Sequence, residues 1–176
     1  MSIRPFNGIM PVIKQTAYID EQAVVIGDVQ IGEDSSVWPN TVIRGDVNII
    51  RIGQRSNIQD NSTIHVSHDS YYQPGGAATQ VGDDVTIGHQ VILHACHIGN
   101  RCLIGMGSII MDQVVVADDT IIAAGSLVTQ GKQLTGGQLY VGRPAKPVRA
   151  LTDEERERIQ YSAQHYVKLK NQYMEH

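Results

Sequence analysis

The stretch Ile13-Lys14-Gln15-Thr16-Ala17-Tyr18-Ile19-Asp20-Glu21-Gln22-Ala23-Val24-Val25-Ile26-Gly27-Asp28-Val29-Gln30-Ile31 decides the fold. It places an aliphatic residue at every sixth position, at Ile13, Ile19, Val25 and Ile31. The period continues at Val37 and Ile43 and then, after a three-residue slip at Ile49-Ile50-Arg51, at Ile52, Ile58 and Ile64. It resumes at Val81, Ile87 and Leu93, passes one short unit, and runs on through Ile98, Ile104, Ile110, Val116, Ile122 and Val128. Four places after an anchor stands a small or β-branched residue, as at Ala17, Ala23, Ser35, Val47, Ser62, Cys102 and Ser126. Neither the helical period of 3.6 nor strict alternation generates a repeat of six. A short strand and a tight turn, repeated, does. Each unit buries one anchor and relies on its neighbours to complete the core, which is the logic of a solenoid.

Composition agrees with that reading. The 176 residues include 7 Tyr but only 1 Phe and 1 Trp, with Ile, Val and Gly recurring throughout. Such a profile suits β-structure with tight turns. The net charge of -4 is spread without runs, which argues against a nucleic-acid or anionic-membrane surface. No apolar run approaches the roughly 20 residues of a membrane span. The opening Met1-Ser2-Ile3-Arg4-Pro5-Phe6 lacks the apolar core of a secretory signal. Cys96 and Cys102 form no disulfide framework, so the expected compartment is the cytoplasm.

This register resembles the hexapeptide-repeat family, and the resemblance spans residues 13 to about 130. It implies an all-β solenoid, a left-handed parallel β-helix in which three hexads make one triangular coil. Coils would then start at Ile13, Ile31, Ile52, Val81, Ile98 and Val116. Around this core, residues 1–12 read as an irregular lead-in, and the polar, Gly/Pro-rich residues 66–80 as a loop thrown from one corner. Residues 131–151 read as an extended exit. Thr152-Asp153-Glu154-Glu155 is a capping box that opens a C-terminal α-helix over 152–174. Its Ile159, Ala163, Tyr166 and Tyr173, with Leu169 or Lys170 between, form the face that packs on the solenoid. The whole is one domain.

Stacking the coils locates the chemistry. The residue after the third anchor of each coil gives the column Ile26, Arg44, His65, His94, Met111, Thr129. His65 and His94 are therefore vertical neighbours, roughly one strand spacing of about 4.8 Å apart, and able to chelate one ion. His89 stands two places after Ile87 in the middle hexad, on a different face, and does not reach that ion within one chain. Packing of identical solenoids would bring a neighbour's His89 to it. Asp60 lies in the His89 column, and Gly88 leaves room beside the ligand.

This constellation resembles the γ-class carbonic anhydrases. The stretches that carry the likeness are Arg44-Gly45-Asp46, Asn57-Ile58-Gln59-Asp60, Ile64-His65 and Gly88-His89-Gln90-Val91-Ile92-Leu93-His94. The resemblance implies a homotrimer with metal sites shared between subunits: His65 and His94 from one chain, His89 from the next. Three imidazoles leave an open fourth position on Zn2+, and Fe2+ or Co2+ suit the same donors. Metal-activated hydroxide would attack CO2 to give bicarbonate, a carbonate dehydratase-like lyase reaction. The candidate catalytic set is Gln59 and Asp60, to orient water or bicarbonate, with Arg44 and Asp46. Arg44 would pair with a carboxylate across the interface, Asp46 or Asp60, in a catalytic or purely structural role.

Departures from the family pattern lower the expected rate. Val47 stands where fast members carry a proton-shuttling glutamate, and the loop after His65 offers His68 and Asp69 but no glutamate. Other readings are a metal-dependent acyl-CoA thioesterase, an acyltransferase of the hexapeptide-repeat family, and a non-enzymatic trimeric metal-binding scaffold. Tyr161 and Tyr166 pack the helix or reach the site. Cys102 is a packing residue; Cys96 has no assigned role, and His97 is exposed.

Overall fold

A computed structural model of the chain describes residues 2–175. Its short strands stack in parallel register into three faces. The first runs from Val12–Ile13 through Thr79–Val81, His97–Ile98 and Val115–Val116 to Gln133–Leu134. The second runs from Tyr18–Ile19 through Ser36–Val37, Asn57–Ile58, Thr86–Ile87, Leu103–Ile104 and Ile121–Ile122 to Gln138–Gly142. The third holds Thr63–His65, Ile92–His94, Ile109–Ile110 and Leu127–Val128. Two long strands, Val24–Ile31 and Val42–Ile52, bend round the corner from the third face to the first.

The six-residue anchors form the core. Val25, Ile43, Ile58, Ile64, Ile87, Ile98, Ile104 and Ile110 are fully buried. The corners turn on a residue three places after the anchor. On the corner between the first and second faces this residue is Asp34, Arg55, Asp84, Arg101 or Asp119, all with φ between 50° and 58°. One left-handed residue per corner lets two strands meet at a sharp angle without breaking the stack.

The register extends further at both ends than the six-residue pattern indicates. Ile3–Arg4 pairs with Val25 and Ile26, so the lead-in adds a strand to the third face. At the other end, Leu134 and Tyr140 take buried anchor positions, 9% and 4% exposed, in strands that continue the first and second faces. An aromatic anchor among glycine turns hides that last coil from an aliphatic count. Within residues 131–151, Ala145–Ala150 then folds back antiparallel on Gln138–Gly142.

The insertion in the second coil also sits elsewhere. Gly27 pairs with Gly45, and Val29 with Ile50, so residues 46–49 stand opposite Asp28 alone and hold the three extra residues. Ile50, fully buried, takes the corner position expected for Val47, which swings out to 44% exposure. A three-residue bulge is accommodated more readily at a corner than within the paired strand after it.

The C-terminal helix, Asp153–Met174, starts with both arms of the capping box: Thr152 accepts from Glu155 N, and Glu155 from Thr152 N. It packs on the second face through Ile159 and Ala163. Tyr166 and Tyr173 close on Trp38 with ring centroids 5.5 and 5.1 Å away. Lys170, 2% exposed, is buried in that interface. Its ammonium donates to Thr16 O at 2.6 Å and to Asp34 Oδ1 at 2.9 Å.

Candidate metal centre

His65 and His94 end adjacent strands of the third face and are direct register partners. Their rings lie 5.2 Å apart, with His65 Nδ1 facing His94 Nε2 at 3.2 Å. The far nitrogen of each ring is held by a carboxylate: His65 Nε2 by Asp46 Oδ1 at 2.9 Å, and His94 Nδ1 by Asp112 Oδ1 at 2.8 Å. Ionised carboxylates only accept, so each far nitrogen carries a proton and, in the neutral rings, each near nitrogen presents a lone pair. Two lone pairs therefore face one another, an arrangement that a cation relieves. Two imidazole nitrogens at about 2.0–2.1 Å from a tetrahedrally bound ion stand roughly 3.3 Å apart, so the pair fits a metal.

The supporting shell is local. The bulge at 46–49 turns Asp46 back toward its own column, where it takes Arg44 on one oxygen and His65 on the other. Burial opposes the charge on Asp46, but the donors His65 and Arg44 outweigh it and hold its pKa below the ordinary value. Asp112 behaves alike: burial is overcome by hydrogen bonds from Ser67 and His94, and its pKa is lowered. Arg44, expected to reach a carboxylate on another chain, engages Asp46 of its own. Thr79 Oγ1 donates to His65 O at 2.6 Å, and Asn48 Nδ2 to Ser67 O at 3.3 Å, tying the loop at 66–80 to both imidazoles' supports.

His89 lies on the corner between the second and third faces, its side chain 46% exposed. Its Nδ1 is 2.8 Å from Asp60 Oδ2, the residue one coil below. A corner glycine is needed here for packing as well as for room: a Cβ on Gly88 would meet Met106 N at 2.7 Å. Among the described residues, no three His, Cys, Asp or Glu side chains of one chain converge as a ligand set. The structure thus brings His65 and His94 together and leaves His89, with its own carboxylate, on a separate corner.

Gln59 is 6% exposed and donates Nε2 to Asn57 Oδ1 at 3.1 Å. Tyr166 is half-buried against Trp38, and burial together with the charge of Asp60 raises its pKa. Tyr161 is 69% exposed and stacks on His165 instead. His68 and His97 are exposed. Cys96 joins Val29, Ile50, Thr79 and Val114 in a buried corner column, and burial pushes both thiols up to about 12. Asp112 was invisible to the sequence pattern because its column neighbours, Val66 and Ala95, carry no charge. Its position two places after Ile110, beside the end of the His65/His94 column, is the only signal it offers.

Stacked hexads, left-handed corners and histidines at strand ends define a left-handed parallel β-helix of hexapeptide repeats. The bacterial transferase hexapeptide (six repeats) family matches residues 10–45 and 95–130. Protein YrdA of Escherichia coli (strain K12) is 51% identical over 98% of this chain and 94% of its own length. A carbonic anhydrase of Geobacillus kaustophilus (strain HTA426) is 44% identical over 97% of this chain and 90% of its own. The crystal structure of a hexapeptide transferase family protein from Anaplasma phagocytophilum superposes with a TM-score of 0.90 at 44% identity, covering 97% of each chain. The chain belongs to the γ-class carbonic anhydrase-like family of hexapeptide-repeat proteins.

Proposed function

We propose that this protein hydrates CO2 to bicarbonate, at a modest rate, at a metal centre shared between adjacent subunits of a homotrimer. The observation that carries the proposal is that all three histidines have one ring nitrogen held by an aspartate: Asp46, Asp60 and Asp112. A carboxylate there fixes the tautomer, aims the other nitrogen outward and raises its basicity, as for metal-ligating imidazoles. His65 and His94 supply two such nitrogens from one chain, and His89 of a neighbouring copy supplies the third. Zn2+ fits this donor set with an open fourth position, and Fe2+ or Co2+ are alternatives on the same imidazoles.

The bound ion supplies Lewis acidity and an activated water near neutral pH. The chain's residues do the rest. Asp46 and Asp112 keep the protons on the far nitrogens, so the near ones stay free to ligate. Arg44 neutralises the oxygen of Asp46 that His65 leaves. Gln59 offers a carboxamide to orient a small polar substrate. Val47 is exposed but carries no ionisable group, and the loop after His65 offers the exposed His68 in place of a glutamate, which limits turnover.

Metal analysis and sedimentation of purified protein, with stopped-flow CO2 hydration in oxidised and reduced preparations, test this. One ion per chain, a trimer and hydration above the metal-free control are expected. Full metal occupancy with no hydration in any metal form would overturn the activity. Full metal content in His89→Ala would overturn the shared site.

A further inference from the structure

The corner between the third and first faces carries two irregular segments, the bulge at 46–49 and the loop at 66–80. Each acts on one of the carboxylates behind the paired imidazoles. The bulge presents Asp46 to His65, and the loop's entry presents Ser67, whose hydroxyl donates to Asp112, the partner of His94. Residues 46–49 and 66–78 take no part in the strand pairing between coils, so the six-residue register does not set one segment against the other.

Asn48 bridges that gap. Ile49 N donates to its Oδ1 at 2.9 Å, which settles the orientation of the carboxamide: the oxygen faces an N–H, and the nitrogen is left to find acceptors. Nδ2 donates to Ser67 O at 3.3 Å and to Gly75 O at 3.2 Å, one carbonyl from each stem of the loop. Ser67 N also donates to Ala77 O, and Ala77 N to Ser67 O, both at 3.0 Å, so the stems are clamped where the amide meets them. The fit is tight: Gly76 has a φ of 65°, and a Cβ on it would lie 2.4 Å from Ser67 O and 2.8 Å from Asn48 Nδ2. Among the described residues, no other side chain of the bulge hydrogen-bonds to the loop. The loop's tip offers little anchorage, since Tyr71 and Tyr72 are 92% and 94% exposed and meet each other edge-on. The stems therefore depend on contacts at their base.

We propose that Asn48 is a positioning residue for the metal centre. Its amide sets the loop stem against the bulge, and so keeps Ser67 on Asp112 and Asp112 on His94 while Asp46 stays on His65. The inference rests on the metal-centre reading for the role of the two imidazoles, and it adds a residue that acts on them only through Ser67 and Asp112.

Asn48→Asp is nearly isosteric and replaces both N–H donors by an oxygen, which the two carbonyls repel. Asn48→Leu is of like size and uncharged, and separates the lost donors from the added charge. In the full-length, metal-free protein, two-bond 1H–15N correlation of the imidazoles at about pH 8, above the ordinary histidine range, reads the tautomers directly. The parent should show the proton fixed on Nδ1 of His94 and on Nε2 of His65. Both variants should shift His94 toward the tautomer mixture of a free imidazole. His89, supported by Asp60 on a separate corner, should stay as in the parent. Chelator competition should find metal held about tenfold more weakly in both variants, the low end of the cost of disturbing a ligand's support. Far-UV circular dichroism should be unchanged, and Tyr72→Ser at the loop tip should leave tautomers and metal affinity as they are. A parent-like His94 signal in both Asn48 variants overturns the proposal, as does a parent in which His94 already averages. Fixed tautomers in a parent that binds no metal would count against the metal centre itself, and the variant spectra would still decide the role of Asn48.

Discussion

Asp60 Oδ2 lies 2.8 Å from His89 Nδ1, one coil below it on the same corner. An exposed imidazole with a dedicated carboxylate has the support that the proposed shared metal site requires of its third ligand. Asp60→Asn should lower metal affinity 10–100-fold, the usual cost of losing such a support. His89→Ala should remove bound metal almost entirely while leaving the β-helix intact. Competition with a chelator and far-UV circular dichroism measure the two effects. Parent-like affinity in Asp60→Asn would separate this aspartate from metal binding.

Much of this arrangement was legible because a strict six-residue register converts position into direction. His65 and His94 share a column because each follows its anchor by one place, and the structure pairs them so. Asp60 and His89 share another for the same reason. The register fails where its length changes. The bulge at 46–49 displaces Val47 outward and Ile50 inward, and it curls Asp46 back onto His65. Asp112 approaches His94 from the coil above, a contact made by side-chain reach that periodicity does not encode. Tyr140 escapes the aliphatic pattern because the last anchor is aromatic, and of Leu169 and Lys170, the two candidates for the helix's packing face, Lys170 is the one fully buried.

Asp112 is therefore the test of what only the structure supplies. Asp112→Asn should weaken metal binding 10–100-fold, comparably to Asp60→Asn, since it loses the acceptor-only, negatively charged group that fixes the His94 tautomer and raises its basicity. Ser67→Ala, which removes the hydroxyl donating to the other oxygen of Asp112, should have a smaller effect of the same sign. Chelator competition ranks the three, and the order Asp112, then Ser67, is the expected one.

The two thiols should be chemically silent. Cys96 and Cys102 are free and buried, and both pKa values are pushed up to about 12 chiefly by burial. Only the thiolate reacts appreciably. A disulfide reagent should label neither at pH 8 in the folded protein and both after denaturation. Rapid labelling of native Cys96 would show that its corner opens.

Lys170 locks the helix to the first coils. Asp34, Arg55, Asp84, Arg101 and Asp119 occupy one corner column of alternating charge, with Arg55 on Asp84 and Arg101 on Asp119 in two-pronged bonds of 2.7–2.9 Å. Lys170 supplies the cation that Asp34 at the end of this ladder otherwise lacks. Lys170→Ala leaves Thr16 O and Asp34 unpaired and opens a cavity. Breaking a fully buried pair costs about 3–5 kcal/mol, and partial exposure of Asp34 reduces that here to about 2 kcal/mol. Trp38, the single tryptophan, touches Tyr166 and Tyr173 on the helix, so its emission should shift red as the helix detaches. An unchanged denaturation midpoint in Lys170→Ala would remove the lysine from the docking energetics.

The start of the same helix should respond to acid. Arg149, the Thr152 backbone and the Thr152 hydroxyl together lower the Glu155 pKa to about 2. The carboxylate is favoured by the folded state, so its contribution is present above the ordinary glutamate range near 4.3–4.5. It is lost as pH falls from there toward 2. Side-chain NMR should place the Glu155 midpoint near 2, and Arg149→Ala should move it back toward the ordinary value. Thr152→Ala removes the cap as well and should cost about 1 kcal/mol of helix stability at neutral pH. Arg149 is exposed and Glu155 partly so, and salt should therefore weaken the Arg149 component and leave the hydroxyl cap in place. A Glu155 midpoint near 4.5 in the parent protein would show that the pair with Arg149 does not form in solution.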